Sequence, residues 1–194
     1  VGVPNEVWGL SPDTGKLVWY AETELGGNVA PSPVAQDGII YVTGGYPKQQ
    51  TVAIRAGGNG DVTKSQILWS NRGGSYIPSP VLHDGHLYWV DEKGYANCIE
   101  AATGKSIYRE QLPRDADAKS GKPAHYASIV LIKDRLYAVS RAGDTYVMAA
   151  KPAFEMLAHN QLASDQTDFN ASPAISGGKI LLRSNRFLYC IGGE

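Results

Sequence analysis

The chain has 194 residues, of which 43% are hydrophobic and 19% charged, and its net charge is −1. That balance belongs to an ordinary globular chain, and it excludes the basic footprint that nucleic-acid binding needs. No stretch approaches the roughly 20 apolar residues of a membrane-spanning helix, and 22 glycines with 11 prolines point to a chain that turns often.

Residues 1–21 read as the end of a sheet: a strand from Glu6 to Leu10, a turn through Asp13-Thr14-Gly15-Lys16, and a strand from Leu17 to Tyr20. The two strands that should precede them are missing. Residues 32–70 form the next unit, and residues 79–110 give the clearest one. There Ser79 to His83 runs apolar into Asp84-Gly85, a pair that suits a two-residue hairpin because both positions tolerate positive φ. Leu87 to Val90 is apolar and aromatic, as a strand should be. A break at Glu92-Lys93-Gly94 leads into Tyr95 to Glu100, and a turn at Ala102-Thr103-Gly104-Lys105 leads into Ser106 to Arg109. The unit is a meander of four antiparallel strands. Residues 126–157 repeat it, and residues 172–191 supply three strands. With no initiator methionine or signal peptide before Val1, the sequence reads as an excerpt of a longer chain.

One such sheet has two faces to cover and therefore needs copies of itself. Ser32, Ser79, Ser128 and Ser172 open successive units at gaps of 47, 49 and 44 residues, and Tyr41, Tyr88, Tyr137 and Leu181 repeat those gaps. The first hairpin thus has a fixed length, with turns expected at Asp37-Gly38, Asp84-Gly85, Asp134-Arg135 and Gly177-Gly178. A period of roughly 40 to 50 residues with four strands per unit is the signature of a β-propeller blade. The expected fold is all-β, a propeller of four-stranded antiparallel blades, with about four blades present of a seven- or eight-bladed ring. Open sheet edges invite a pairing of two half-propellers.

Aligning third strands places Gly9, Ala53, Cys98, Val147 and Cys190 at one compact position. Both cysteines are therefore expected to be small buried hydrophobes, too far apart for the roughly 6 Å Cα separation of a disulfide. The fourth strands carry Trp19, Trp69, Tyr108 and Met156, bulk that suits a wedge between radiating sheets.

The stretches GLSPDTGKLVW (9–19) and CIEAATGKSIY (98–108), with SPVAQDGIIYV and SPVLHDGHLYWV, resemble the repeat of the pyrroloquinoline-quinone-type propellers. Ser11 and Glu100 stand where that family has aspartate, and Tyr108 where it has tryptophan. The resemblance covers nearly the whole chain. It implies a fold shared by quinone-dependent dehydrogenases, outer-membrane assembly lipoproteins and non-catalytic repeat proteins, mostly bacterial and extracytoplasmic. The quinone enzymes hold pyrroloquinoline quinone over a tryptophan, under adjacent cysteines and beside calcium. This chain has no adjacent cysteines and no acidic cluster with calcium spacing. Its histidines, His83, His86, His125 and His159, are scattered, and no nucleophile elbow is present.

What remains is one mouth of the ring. Loops 21–31, 71–78, 110–127 and 158–171, with the turn at 43–50, surround it, and loops on a rigid scaffold are where binding residues gather. Tyr76, His125, Tyr126, Phe169 and Asn170 fall there, with Arg72, Arg141, Arg183 and Arg186 nearby. Either they grip a planar, sugar-like or acidic ligand, or they plug the channel and satisfy backbone groups. Within 110–127 the charged middle reads as mobile. The function expected is a non-catalytic binding or scaffold module for a protein or glycan partner, without cofactor. A fragment of a quinone-dependent dehydrogenase, with pyrroloquinoline quinone and calcium, is the alternative.

Overall fold

The computed structural model describes residues 1–113, 124–162 and 164–192, and they form five sheets. The first holds β1 (Gly2–Val3), β2 (Glu6–Leu10) and β3 (Leu17–Glu22). The second unit runs through β4 (Val34–Gln36), β5 (Ile39–Gly44), β6 (Gln50–Arg55), β7 (Gly60–Asp61), a short helix α1 (Thr63–Gln66) and β8 (Ile67–Arg72). The third comprises β9 (Val81–His83), β10 (His86–Val90), β11 (Tyr95–Glu100) and β12 (Ser106–Gln111). The fourth is β13 (Val130–Ile132), β14 (Arg135–Val139), β15 (Thr145–Ala149) and β16 (Met156–Asn160); the last is β17 (Ala174–Ser176), β18 (Lys179–Arg183) and β19 (Leu188–Ile191). Strands pair in chain order within each sheet, except that β7 leaves the second unit and pairs in parallel with β3. It covers the outer edge of the first sheet, an edge that would otherwise expose unpaired backbone groups.

Details of strand pairing and turn position differ from the sequence reading. Gly2–Val3 pairs with Glu6 and Val7, and β7 joins the other edge, so the first sheet has four strands where two were expected. In the fourth unit Ile132 pairs with Arg135, which puts the turn at Lys133-Asp134 rather than Asp134-Arg135. Lys133 takes a positive φ of 54°, as Asp37 (51°) and Asp84 (44°) do in their units. Counted from each opening serine, the turn starts five residues on in every copy.

Apolar residues gather between sheets, not within them. Val7, Trp19, Ala21, Val42, Val52 and Ile54 fill the gap between the first and second sheets. Tyr41 and Ala53 meet Leu87, Trp89 and Ile99 in the next gap. Tyr88, Val90, Ala96 and Cys98 meet Leu136, Ala138, Tyr146 and Met148 in the third, and Val139 meets Leu182 and Phe169 in the fourth. Period-two alternation sends one set of side chains to each neighbour. That arrangement is a β-propeller built from four-stranded antiparallel blades.

Two devices hold neighbouring blades in register. The hydroxyl of each opening serine after Ser32 accepts a hydrogen bond from the backbone amide of the equivalent serine one blade back. Ser79 accepts from Ser32, Ser128 from Ser79 and Ser172 from Ser128, each at 2.9 Å. At the rim, Trp69 donates its indole N–H to the Ala101 carbonyl at 2.9 Å, and a Cβ on Gly104 would sit 2.6 Å from the Trp69 ring. Tyr108 meets Phe154 edge-on at 5.7 Å. These contacts are the wedge expected of the fourth-strand aromatics.

The cysteines part company. Cys98 is buried between the third and fourth blades, where burial pushes its thiol up to about 11. Cys190 is exposed, which corrects the expectation that both are buried. Its position faces the next blade in the repeat, and no blade follows among the described residues. No helix of the described residues is long and apolar enough to cross a membrane.

Candidate functional site: the belt of turns at the propeller mouth

The turns between second and third strands are tied by a polar residue directly after the second strand. Asp91 Oδ1 accepts from the amides of Lys93 at 3.0 Å and Tyr95 at 2.9 Å. Ser140 Oγ accepts from Ala142 and Asp144, and Ser184 Oγ from Arg186 and Phe187. Short side-chain oxygens satisfy turn amides this way without help from a sheet partner. Asp91 also binds Arg109 Nη2 at 3.1 Å, and that guanidinium lies 3.5 Å from the Tyr95 ring centre.

Each interblade loop is then stitched between two such turns. Ala124 donates its amide to the Glu92 carbonyl at 2.7 Å and accepts from the Arg141 amide at 2.9 Å. Phe169 donates to the Arg141 carbonyl at 3.0 Å, and the Asp168 carbonyl accepts from Asn185 at 3.0 Å. Glu92 binds backward as well, its carboxylate accepting from Gln49 Nε2 and the Tyr76 amide at 3.1 Å each. The mouth is therefore a continuous belt.

Among the candidate residues, His125 is 2% exposed and Phe169 1% exposed, so both lie inside the belt. His125 Nδ1 meets the Val139 carbonyl at 3.1 Å, and Phe169 lies on Gly143, whose added Cβ would come within 2.8 Å of the ring. Arg141 gathers two others, lying over Tyr126 at 4.8 Å and donating from Nε to Asn170 at 2.9 Å, and it also pairs with Asp168 at 2.5 Å. Tyr76 stacks against the exposed Tyr46 at 4.6 Å. Arg72, Arg183 and Arg186 are exposed, Arg186 lying 5.2 Å over Phe187. By these contacts the candidates fall into separate groups. The middle of the insertion at 110–127 lies outside the described residues.

A second polar cluster sits in the fourth blade. Asp144 accepts from Ser140 Oγ, from Gln161 Nε2 and from His159 Nε2, all at 2.9 Å. Burial pushes its carboxyl up, but these hydrogen bonds outweigh that and hold it below the usual carboxylate range. His159 stacks on Tyr146 at 4.6 Å. Ser140 here bonds the carboxylate and not the imidazole, so the group cannot activate a hydroxyl nucleophile as a serine–histidine pair does.

The comparisons with known proteins bear on this architecture. A family model described as outer membrane protein assembly factor BamB matches residues 4–191. The chain belongs to this BamB-like family of quinone-type propeller repeats. The crystal structure of BamB from Moraxella catarrhalis superposes with a TM-score of 0.67 at 10% identity, over 93% of this chain and 49% of that one. The quinohemoprotein alcohol dehydrogenase ADHIIG from Pseudomonas putida HK5 superposes with a TM-score of 0.65 at 13% identity, over 92% of this chain and 30% of that one. The chain thus spans about half the length of that BamB structure. No curated protein sequence matches it significantly. At such identities these structures establish a shared fold and nothing more.

Among the described residues, no group of three or more His, Cys, Asp or Glu side chains is arranged so that it could hold a metal ion. Trp89 packs between the second and third blades, and Trp8 hydrogen-bonds its own strand's Glu6 carboxylate. The residues that hold the BamB-like mouth together, Asp91, Ser140 and Ser184, were missed by the sequence reading. Their signal was available, a polar residue three positions after Tyr88, Tyr137 and Leu181.

Proposed function

We propose that this chain is a non-catalytic scaffold module that binds a protein or glycan partner at the mouth of its propeller, in an extracytoplasmic compartment of a bacterium. The observation that carries the reading is the use of the mouth's polar groups. Asp91, Glu92, Ser140 and Asp144 are buried and spent on turn amides and neighbouring side chains, which builds a rigid rim rather than a reaction centre. Such a rim presents Tyr46 with Tyr76, Tyr126 with Asn170, and Arg183 with Arg186. Aromatic and arginine side chains on a fixed frame are the usual anchors of recognition. Membership of the BamB-like family supports a protein as the partner, because the family description is that of an assembly factor. A second copy of the chain is the homotypic form of the same reading.

The test compares the full chain with a triple variant, Tyr76→Ala, Arg183→Ala and Arg186→Ala, as bait for chemically cross-linked envelope proteins of the source cell. Loss of a discrete cross-linked partner in the variant is expected. Retention of every partner would overturn the mouth assignment. Titration of pyrroloquinoline quinone with calcium is expected to leave the quinone absorbance unchanged, and tight saturable binding would favour the dehydrogenase reading.

A further inference from the structure

Between the first and second blades lies an open cleft of about 550 Å³, within the range of roughly 300 to 1,000 Å³ common to ligand sites. One wall is the end of β3 and the residues after it, Glu22 to Glu24. The other is the face of the second sheet, with Gln50, Ser70 and Arg72 above a floor of Val52 and Ile67. Gln50 and Arg72 are cross-strand partners, so their side chains stand side by side on that wall.

Three of these groups are placed but not used. Gln50 is only 7% exposed, and its Oε1 is fixed by the Glu24 amide at 2.8 Å. No hydrogen bond from its Nε2 is found among the described residues, and Gln50 lines the cleft. The Arg72 guanidinium has no ion pair or hydrogen bond among the described residues, and neither has the Glu22 carboxylate on the facing wall. Glu24, in contrast, is paired with Lys48 at 3.1 Å. Opposite charges that line one cleft without meeting leave room for something between them.

We propose that this cleft takes an extended peptide segment of a partner protein that carries both an acidic and a basic side chain. The acidic side chain accepts from Arg72 and Gln50 Nε2, and the lysine or arginine lies against Glu22. An acidic glycan would satisfy Arg72 but would face Glu22 and Glu24 with like charge, and no aromatic ring lines the cleft for a sugar to stack on. Ser70 adds a hydroxyl beside the donor pair. The inference rests on reading the chain as a protein-binding module, but of the mouth candidates it uses Arg72 alone.

The experiment is a fluorescence-anisotropy titration of the full chain with labelled 10-residue peptides of four kinds: lysine with aspartate, aspartate only, lysine only, and neutral. The mixed-charge peptides are expected to bind most tightly. Arg72→Ala and Glu22→Gln should each weaken that binding by roughly threefold to tenfold, as charge-assisted contacts in a partly wet cleft do. Both side chains are exposed, so circular dichroism melts should not change. The double reversal Glu22→Arg with Arg72→Glu should restore mixed-charge binding and reverse which order of charges along the peptide is preferred. Binding indifferent to peptide charge, or unmoved by these variants, would overturn the proposal. So would saturable binding of an acidic oligosaccharide that outcompetes the peptides. If mouth variants abolish partner cross-linking while cleft variants leave peptide binding unchanged, the mouth reading stands and this one falls.

Discussion

The indole of Trp69, on the outer strand of the second blade, donates to the carbonyl of Ala101 in the turn of the third at 2.9 Å. The ring also packs on Gly104 and lies 6.1 Å from Tyr41. Trp69→Phe should keep most of the packing and cost about 1 kcal/mol for the lost hydrogen bond. Trp69→Ala should cost about 3 kcal/mol, the low end for an aromatic removed from a core, because its outer edge is partly wet. Urea unfolding of the two variants measures the difference.

The serine ladder makes a second expectation. Ser128→Ala removes the acceptor for the Ser79 amide, which lies two residues before the inner strand β9. The expected loss is about 1 kcal/mol. Loss at Ser79→Ala should be similar, and the double variant should lose about the sum, since each serine serves a different amide. Equilibrium denaturation checks both figures.

Phe169 and Tyr76 should behave oppositely. Phe169 is enclosed by Gly143, Val139 and Leu182, so Phe169→Ala should cost about 3 to 5 kcal/mol. Tyr76 is half-buried against an exposed ring, and its replacement by alanine should move the melting temperature by no more than a few degrees. His125→Ala should fall on the destabilised side with Phe169. Differential scanning calorimetry ranks the three.

Asp144 ties stability to pH. Its carboxyl is held below the ordinary value in the fold, so the folded protein binds fewer protons there than the unfolded chain. The stabilisation is complete above the unfolded value of about 3.9 and drains away as pH falls below it toward the folded value. Asp144→Asn should lower stability at neutral pH and flatten the slope below about pH 4. Unfolding curves measured every half unit from pH 6 downward give both.

The two thiols should separate by reactivity. Burial raises Cys98 to about 11, while Cys190 is exposed. At pH 8 a thiol reagent should modify Cys190 in the folded protein and Cys98 only after unfolding. Peptide mapping before and after denaturant assigns each.

Much of the propeller could be read from spacing alone, because a repeat of Ser, Tyr and turn residues at constant offsets is a geometric statement about one hairpin. The fourth-strand aromatics were legible for the same reason. Burial of Cys190 was not, since it depends on whether another sheet lies beside it, and alignment to Cys98 assumes that it does. Nor was the strand at Gly60–Asp61. Its GGNGD surroundings have no apolar period, and its pairing with β3 is set by tertiary contact through Val62 in the core. His125 and Phe169 sit in loops by sequence, and loops suggest surface. Here the clamped turns draw those loops inward and turn the rings into filling.

The serine hydroxyls recognise a backbone amide, which every residue but proline possesses, and not a side chain peculiar to one blade. A unit that starts with serine can therefore follow any other without recoding its neighbour. Gene duplication could lengthen or trim such a ring one unit at a time, with the axis kept in place throughout while the outer turns diverged.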